Sequence, residues 1–186
     1  MINIDLYTIL ARLISYPDEN YFTYLDKLSS MIQIENPDFT EMNNFFKLDV
    51  CLFIQKELEE YYLKTFLLEP VSSLDLGFVL FGMDAKRNEF LVNMQGEQLK
   101  TGNDIGIELA DYLPNILTLL TKMKDINLRN ELAYSILIPA VREISNKFEE
   151  TTNFYRFIIK LILNVLTRDF NELEFEQIEI NKNIKF

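Results

Sequence analysis

The chain has 186 residues, of which 48% are hydrophobic and 25% are charged, a balance typical of one globular domain and not of a disordered segment. It contains no histidine and a single cysteine, Cys51, which excludes Ser-His-Asp and Cys-His catalysis, an internal disulfide and a cysteine-rich metal site. With only five glycines and five prolines, a turn-rich β-sandwich is not expected.

The charge distribution argues against a nucleic-acid partner. Aspartate plus glutamate number 29 against 18 lysines plus arginines, which gives a formal net charge of −11. Residues 1–110 hold 18 of the acids and 8 of the bases, whereas residues 111–170 are nearly neutral. A phosphate backbone would be repelled by the first region, and a basic peptide would be attracted to it. Alternatively, the acidic residues bind no partner and only increase the solubility of the protein.

The sequence predicts a cytoplasmic protein. The first twenty residues are not expected to act as a signal peptide, because Asp5 precedes the apolar stretch and no basic region comes before it. No membrane span is expected, since the longest apolar candidate, 154–166, is interrupted by Arg156 and Lys160. A lone cysteine fits a reducing compartment. We expect a monomer or a weak homodimer.

Apolar residues recur at helical spacing in every long segment, which predicts an all-α fold. In chain order, helices are predicted over 3–15, 19–33, 38–47, 49–68, 73–81, 84–101, 112–124, 127–149 and 153–168. Residues 1–170 would therefore form a single-domain bundle of about eight to ten helices. The remaining segment, 171–186, is expected to be an extended or flexible C-terminal tail.

Particular residues mark the predicted helix ends. Gly102 suits the position that follows helix 84–101. Asp111 is predicted to cap helix 112–124, and Pro114 is tolerated in its first turn. Pro139 removes a hydrogen bond inside helix 127–149, so we expect a kink or break there. Glu57, on helix 49–68, is predicted to lie on a solvated face.

No pattern that carries catalytic or metal chemistry is found. The chain has neither a phosphate-binding loop nor a dinucleotide-binding glycine motif. Acid pairs such as Glu108 and Asp111 are expected to be solvated or to cap helices. Cys51 is predicted to be a buried, inert thiol, because no histidine is present to activate it. A helical enzyme or small-ligand-binding domain that uses the loop 102–114 is the alternative to a pure binding protein.

Four segments carry a resemblance to a known family. They are LARLISYPD (10–18), LEEYYLKTFLLEPVSSLDLGFVLFG (58–82), MDAKRNEFLVNM (83–94) and ELADYLPNILTLL (108–120). Through their order and spacing the chain resembles the molybdoenzyme assembly chaperones of the nitrate reductase delta-subunit type (NarJ), within the wider TorD-like superfamily. The likeness extends over about residues 3–166. It departs at Leu67, Asp75 and Ala110, where the family often has Asp, His and Pro.

The resemblance implies an all-helical chaperone without catalytic residues. Such proteins bind the apo catalytic subunit of a molybdopterin-dependent oxidoreductase, often at its N-terminal segment. They hold this client until the molybdenum cofactor and the iron–sulfur clusters are inserted. We therefore expect a client such as a nitrate reductase or a nitrite oxidoreductase, and no cofactor bound by the chain itself.

A groove for the client peptide is expected between helix 49–68 and the loop that leads into helix 112–124. Tyr62 and Phe66 share one helix face by their i,i+4 spacing, and the acids of the loop could bind lysine or arginine of an amphipathic peptide. The predicted groove residues are Tyr62, Phe66, Leu74, Leu76, Glu108, Asp111, Tyr112 and Pro114.

Overall fold

Helices account for all the regular structure in the part of the chain that the computed structural model describes. That part comprises residues 2–35, 40–68, 70–171 and 175–178, with side chains for all of them except 33–35, 40–43 and 45. The α-helices are α1 (Ile4–Leu13), α2 (Tyr21–Glu35), α3 (Thr40–Val50), α4 (Gln55–Leu63), α5 (Leu76–Phe81), α6 (Ala85–Thr101), α7 (Leu113–Lys122), α8 (Ile126–Glu131), α9 (Ile138–Lys147) and α10 (Tyr155–Asp169).

Two π-helical segments join some of these helices into longer rods. Lys64–Leu68 continues α4, and Leu132–Leu137 joins α8 to α9 without interruption. The described residues therefore form nine continuous helices, which confirms the predicted all-α, single-domain bundle. Parts of two predicted elements, residues 38–39 of the third helix and 172–174 and 179–186 of the tail, lie outside the described residues. None of the described helices is both long and apolar enough to cross a bilayer.

The core forms around α1, which packs against α2, α7 and α10. Its apolar residues at three- and four-residue spacing face inward, and Leu6, Leu10 and Leu13 are fully buried. The Asn3 side chain accepts a hydrogen bond from the N–H of Leu6 at 3.1 Å and so caps the start of the helix. α10 packs in turn against α9. The end of α4 and the starts of α5 and α7 meet at one edge of the bundle.

The predicted helix 49–68 is wrong at its start. The fully buried Val50 ends α3, the chain turns, and Phe53 packs edge-on against Tyr61 with ring centroids 5.4 Å apart. Glu57 accepts a hydrogen bond from the N–H of Ile54 at 2.9 Å and fixes the start of α4, a role beyond that of a solvated residue. Because Cys51 lies in the turn, it is exposed and not buried as predicted.

The irregularity expected at Pro139 takes the form of the π-helical segment. The proline sits in the first turn of α9, directly after Leu132–Leu137, and the rod from Ile126 to Lys147 stays helical. In an α-helix the N–H of residue 139 would be directed at the carbonyl of Ser135, and proline has no N–H to offer. The wider π turn accommodates the proline ring without breaking the helix.

Asp111 does not cap α7, contrary to the prediction. The N-cap residue of α7 is Tyr112, which makes no side-chain capping bond. Asp111 Oδ2 instead accepts a hydrogen bond from the N–H of Gly77, in the first turn of α5, at 2.8 Å. Pro114 does occupy the first turn of α7, as predicted. The Asp111 carboxylate thus binds the first turn of α5, which begins 35 residues earlier in the chain.

Replacement of Gly77 by alanine should destabilise the protein. An added Cβ would lie 2.7 Å from Asp111 Oδ2 and 3.1 Å from Phe90 Cδ1. The carboxylate would have to leave the Gly77 N–H, and a buried unpaired donor costs about 1–3 kcal/mol. Gly96→Ala, in α6, is the matched control, because its Cβ would meet nothing within 4 Å. Urea unfolding should show a loss for the first variant and a gain of up to about 1 kcal/mol for the second. Equal midpoints would contradict this account.

Candidate functional site

A cleft of about 470 Å³ opens at the edge of the bundle where the end of α4 faces the start of α5 and the loop before α7. We call it the tyrosine cleft. Five of the predicted groove residues line it: Tyr62, Phe66, Leu74, Glu108 and Tyr112. Six residues that were not predicted complete the lining: Tyr16, Leu63, Leu67, Ser73, Asp75 and Ile107.

Backbone pairing brings the two sequence-distant walls of the cleft together. Asp75 and Tyr112 form an isolated antiparallel bridge. In this bridge the N–H of Leu76 donates to the Asp111 carbonyl at 3.0 Å, and the N–H of Leu113 donates to the Leu74 carbonyl at 2.9 Å. The loop that ends at Tyr112 is therefore held against the start of α5.

An aromatic cluster forms the floor of the cleft. The hydroxyls of Tyr62 and Tyr112 share a hydrogen bond of 2.5 Å, which joins α4 to the start of α7. The ring of Phe66 lies 4.9 Å from that of Tyr62, and both rings pack on the fully buried Tyr155. Burial raises the pKa of the Tyr62 and Tyr112 hydroxyls, so both stay neutral at physiological pH. The floor is thus closely packed, uncharged and largely apolar.

The rim of the cleft exposes large apolar side chains. Ile107 is fully exposed at 101%, Leu67 is 59% exposed and Tyr16 is 47% exposed. Tyr16 also packs edge-on against Tyr62, with ring centroids 5.6 Å apart, so the rim and the floor are continuous. Exposed apolar residues around a concave site are typical of a surface that binds another molecule.

Two carboxylates give the cleft negative charge. Glu108 is exposed beside Ile107, and Asp75 lies at the start of α5. Partial burial raises the pKa of Asp75, and this rise is opposed by Arg87, whose Nη2 lies 3.9 Å from Asp75 Oδ2, and by Ser73. The cleft therefore combines an apolar floor and rim with one exposed carboxylate, Glu108, and a second, Asp75, that is paired with Arg87.

Three predicted groove residues lie behind the cleft wall. Leu76 is fully buried in the core as the first residue of α5, and Pro114 is buried in the first turn of α7. Asp111 is fully buried on the Gly77 N–H, so its charge does not face the cleft. The expectation that Asp111 would meet a cation on an incoming peptide is not supported by this position.

Asp111 occupies an environment that disfavours its charge. Burial raises its pKa, and the Gly77 N–H only partly opposes this effect. Its second oxygen, Oδ1, is buried and has no hydrogen-bond partner among the described residues. The side chain therefore orders the wall of the cleft at a cost in desolvation.

The variant Asp111→Asn tests this environment. Its amide oxygen can still accept from Gly77, while the charge is removed. Because the folded-state pKa of Asp111 is raised, the native protein should lose stability relative to the variant as pH rises from about 3.9 through the folded pKa. Each unit by which the folded-state pKa of Asp111 exceeds its unfolded-state pKa should add about 1.4 kcal/mol to this loss of stability. Urea unfolding of both proteins between pH 3.5 and 7 measures this difference, and a difference that does not vary with pH would contradict it.

The polar side chains buried beneath the loop 102–111 bind one another. Gln98 Nε2 donates to the Ala110 carbonyl at 2.9 Å, and Asn103 Nδ2 donates to Gln98 Oε1 at 2.6 Å and to the Asn115 carbonyl at 3.1 Å. Gly102, in the left-handed conformation, ends α6 and starts this loop as predicted. The network fixes the loop that presents Ile107 and Glu108.

Sequence reasoning missed most of the rim. Leu67 is an apolar residue that helical periodicity assigns to a core, and only its exposure in the structure places it at the rim of the cleft. A signal for Ile107 did exist, because this apolar residue directly follows Gly106 and precedes an acid, Glu108, in a segment without helical periodicity. Among the described residues, no group of three or more His, Cys, Asp or Glu side chains could hold a metal ion.

Comparison with protein-family models gives no match to this chain, and comparison with curated proteins gives none either. The interpretation of the tyrosine cleft therefore depends on its geometry and on the sequence motifs described above.

Proposed function

We propose that the protein is a chaperone that binds a basic amphipathic segment of the apo catalytic subunit of a molybdopterin-dependent oxidoreductase, such as a nitrate reductase or a nitrite oxidoreductase. It would hold this client while the molybdenum cofactor and the iron–sulfur clusters are inserted. The observation that carries the proposal is the tyrosine cleft, in which an aromatic floor and an exposed apolar rim lie beside two carboxylates. The client class is supported by the family resemblance of segments 58–82 and 108–120.

The dimensions and chemistry of the cleft suit one face of a helical peptide. Its volume of about 470 Å³ can take several side chains but not a folded domain. An amphipathic helix would place apolar side chains on Tyr62 and Phe66 and between Leu67 and Ile107. Its basic side chains would then lie close to Glu108 and Asp75. The overall charge of −11 would raise the rate of encounter with such a segment.

The remaining features of the proposal follow from this client. A catalytic subunit without its cofactor exists only before assembly is complete. We therefore propose that the chaperone binds this subunit in the cytoplasm. The exposed thiol of Cys51 is compatible with a reducing compartment. We propose no catalytic role for the cleft, and its two carboxylates, Asp75 and Glu108, would lie beside basic side chains of the client.

Titration calorimetry with peptides from the N-termini of molybdopterin oxidoreductase catalytic subunits of the same genome tests the proposal. The double variant Ile107→Ser, Glu108→Lys removes one apolar contact and reverses one exposed charge. Together these changes should cost about 1–2 kcal/mol, or about 5- to 30-fold in affinity, and should flatten the salt dependence.

The matched control is Leu52→Ser, Glu89→Lys, which alters an exposed leucine and an exposed glutamate outside the cleft. It changes the net charge by the same amount and should bind the peptide as the native protein does. Circular dichroism must show both variants folded. Equal affinity and equal salt dependence for the two double variants would place the binding surface elsewhere. Failure of every such peptide to bind the native protein would overturn the client assignment.

A further inference from the structure

Arg87, in the first turn of α6, places a cation beside the tyrosine cleft without binding its counter-ion closely. Its Nη2 lies 3.9 Å from Asp75 Oδ2, which is near enough for an ion pair but too far for a hydrogen bond. The guanidinium carbon lies 5.2 Å from the centre of the Phe78 ring. Its Nε is buried and has no hydrogen-bond partner among the described residues. The Arg87 guanidinium therefore retains hydrogen-bond donors that Asp75 does not use.

Asp111, behind the wall of the cleft, has an acceptor atom to match. Its Oδ2 accepts from the Gly77 N–H, whereas Oδ1 is buried and no described residue donates to it. The whole side chain is fully buried, so water does not replace the missing donor freely. A buried carboxylate oxygen without a donor is unfavourable. A cation that reached Oδ1 would remove this cost.

Arg87 and Asp111 approach each other at Gly77. The point that a Cβ of Gly77 would occupy lies 2.7 Å from Asp111 Oδ2 and 3.3 Å from Arg87 Cγ. The carboxylate and the stem of the arginine side chain thus share the space beside one glycine. Rotation about the arginine bonds beyond Cγ would carry the guanidinium from Asp75 towards Asp111 and would leave the backbone of α6 in place.

One cation therefore serves two carboxylates. Burial is the largest cause of the raised pKa of both Asp75 and Asp111, and Arg87 opposes the rise at each of them. Asp75 raises the pKa of Asp111 further, and no other described charged side chain affects that pKa. The third side chain close to Gly77, Phe90, is uncharged. Only Asp75 lines the cleft, so the two carboxylates differ in their access to a ligand.

We propose that Arg87 moves from Asp75 to Asp111 when a lysine or arginine of the client binds Asp75. This inference rests on the proposed function of the tyrosine cleft and adds a regulatory device to it. In the empty cleft Arg87 neutralises Asp75. The client's cation would take over that role, and Arg87 would then donate to Asp111 Oδ1 within the wall. A segment without a basic side chain at this point would leave Arg87 on Asp75.

Carboxyl ¹³C NMR titration of Asp111 tests the movement without a client. The variant Asp75→Asn removes the first carboxylate, so Arg87 should pair with the second. Because a cation within about 4–6 Å strongly favours a carboxylate, the acid dissociation constant of Asp111 should rise at least about tenfold. An unchanged dissociation constant in the folded variant would contradict the movement.

The control is the same substitution in an Arg87→Met background, because the loss of the Asp75 charge by itself also favours ionisation of Asp111. In this background the dissociation constant should rise several-fold less than in the presence of Arg87. Equal rises in the two backgrounds would overturn the proposal. Thermal unfolding must stay cooperative in every variant, and Arg87→Gln replaces Arg87→Met if the methionine variant does not fold.

Calorimetry of client binding links the movement to the cleft. Pairing with Arg87 lowers the pKa of Asp111, so a basic peptide that binds at a pH close to that pKa should release protons. The binding enthalpy should then vary with the ionisation enthalpy of the buffer, and Asp111→Asn should reduce this variation at least about twofold. Equal proton release by the native protein and Asp111→Asn would overturn the coupling. Failure of the native protein to bind any such peptide would overturn the client assignment and the coupling to it, whereas the titration of the Asp75→Asn variants decides separately whether Arg87 moves.

Discussion

The arrangement of this bundle edge depends on one short antiparallel contact, the bridge between residues 74–76 and 111–113. It comprises two backbone hydrogen bonds and the buried bond from the Gly77 N–H to Asp111, and it is the only backbone ladder contact among the described residues. Helices α5 and α7 begin at its two ends. Since a buried carboxylate is costly unless it is well bonded, this contact tolerates little change.

The tyrosine cleft follows from that contact. With α5 and α7 fixed at their starts, Tyr112 lies within hydrogen-bonding distance of Tyr62, and the loop carrying Ile107 and Glu108 closes one side of the cavity. The loop is fixed from below by Gln98 and Asn103. The rim residues Ile107, Leu67 and Tyr16 remain exposed on elements that these contacts hold in place.

The sequence predicts helices well where burial repeats with the helical period, as in α1 and α10, since the pattern depends only on neighbouring residues. It predicts poorly whatever depends on a distant partner. Asp111 has the spacing of a local cap, and its actual partner, Gly77, is 34 residues away. Cys51 stands in a helical apolar pattern, but the packing of Val50 and Phe53 turns the chain there. The sequence predicts about half of the candidate site, because the floor follows helical spacing while the rim is defined by exposure alone.

The π-helical segment has a consequence for the two ends of the rod that contains it. A π-helical turn contains one residue more than the α-helical turn that it replaces. The residues that follow it are therefore rotated about the helix axis by about 100° relative to a continuous α-helix. Along this rod α8 buries none of its residues, whereas α9 buries six. A single rod therefore serves two surfaces, because Leu128, Glu131 and Leu132 line a cavity beside α6 at one end and α9 packs into the core at the other. Deletion of one residue within Leu132–Leu137 would remove this rotation and would turn the side chains of α8 by about 100° relative to those of α9.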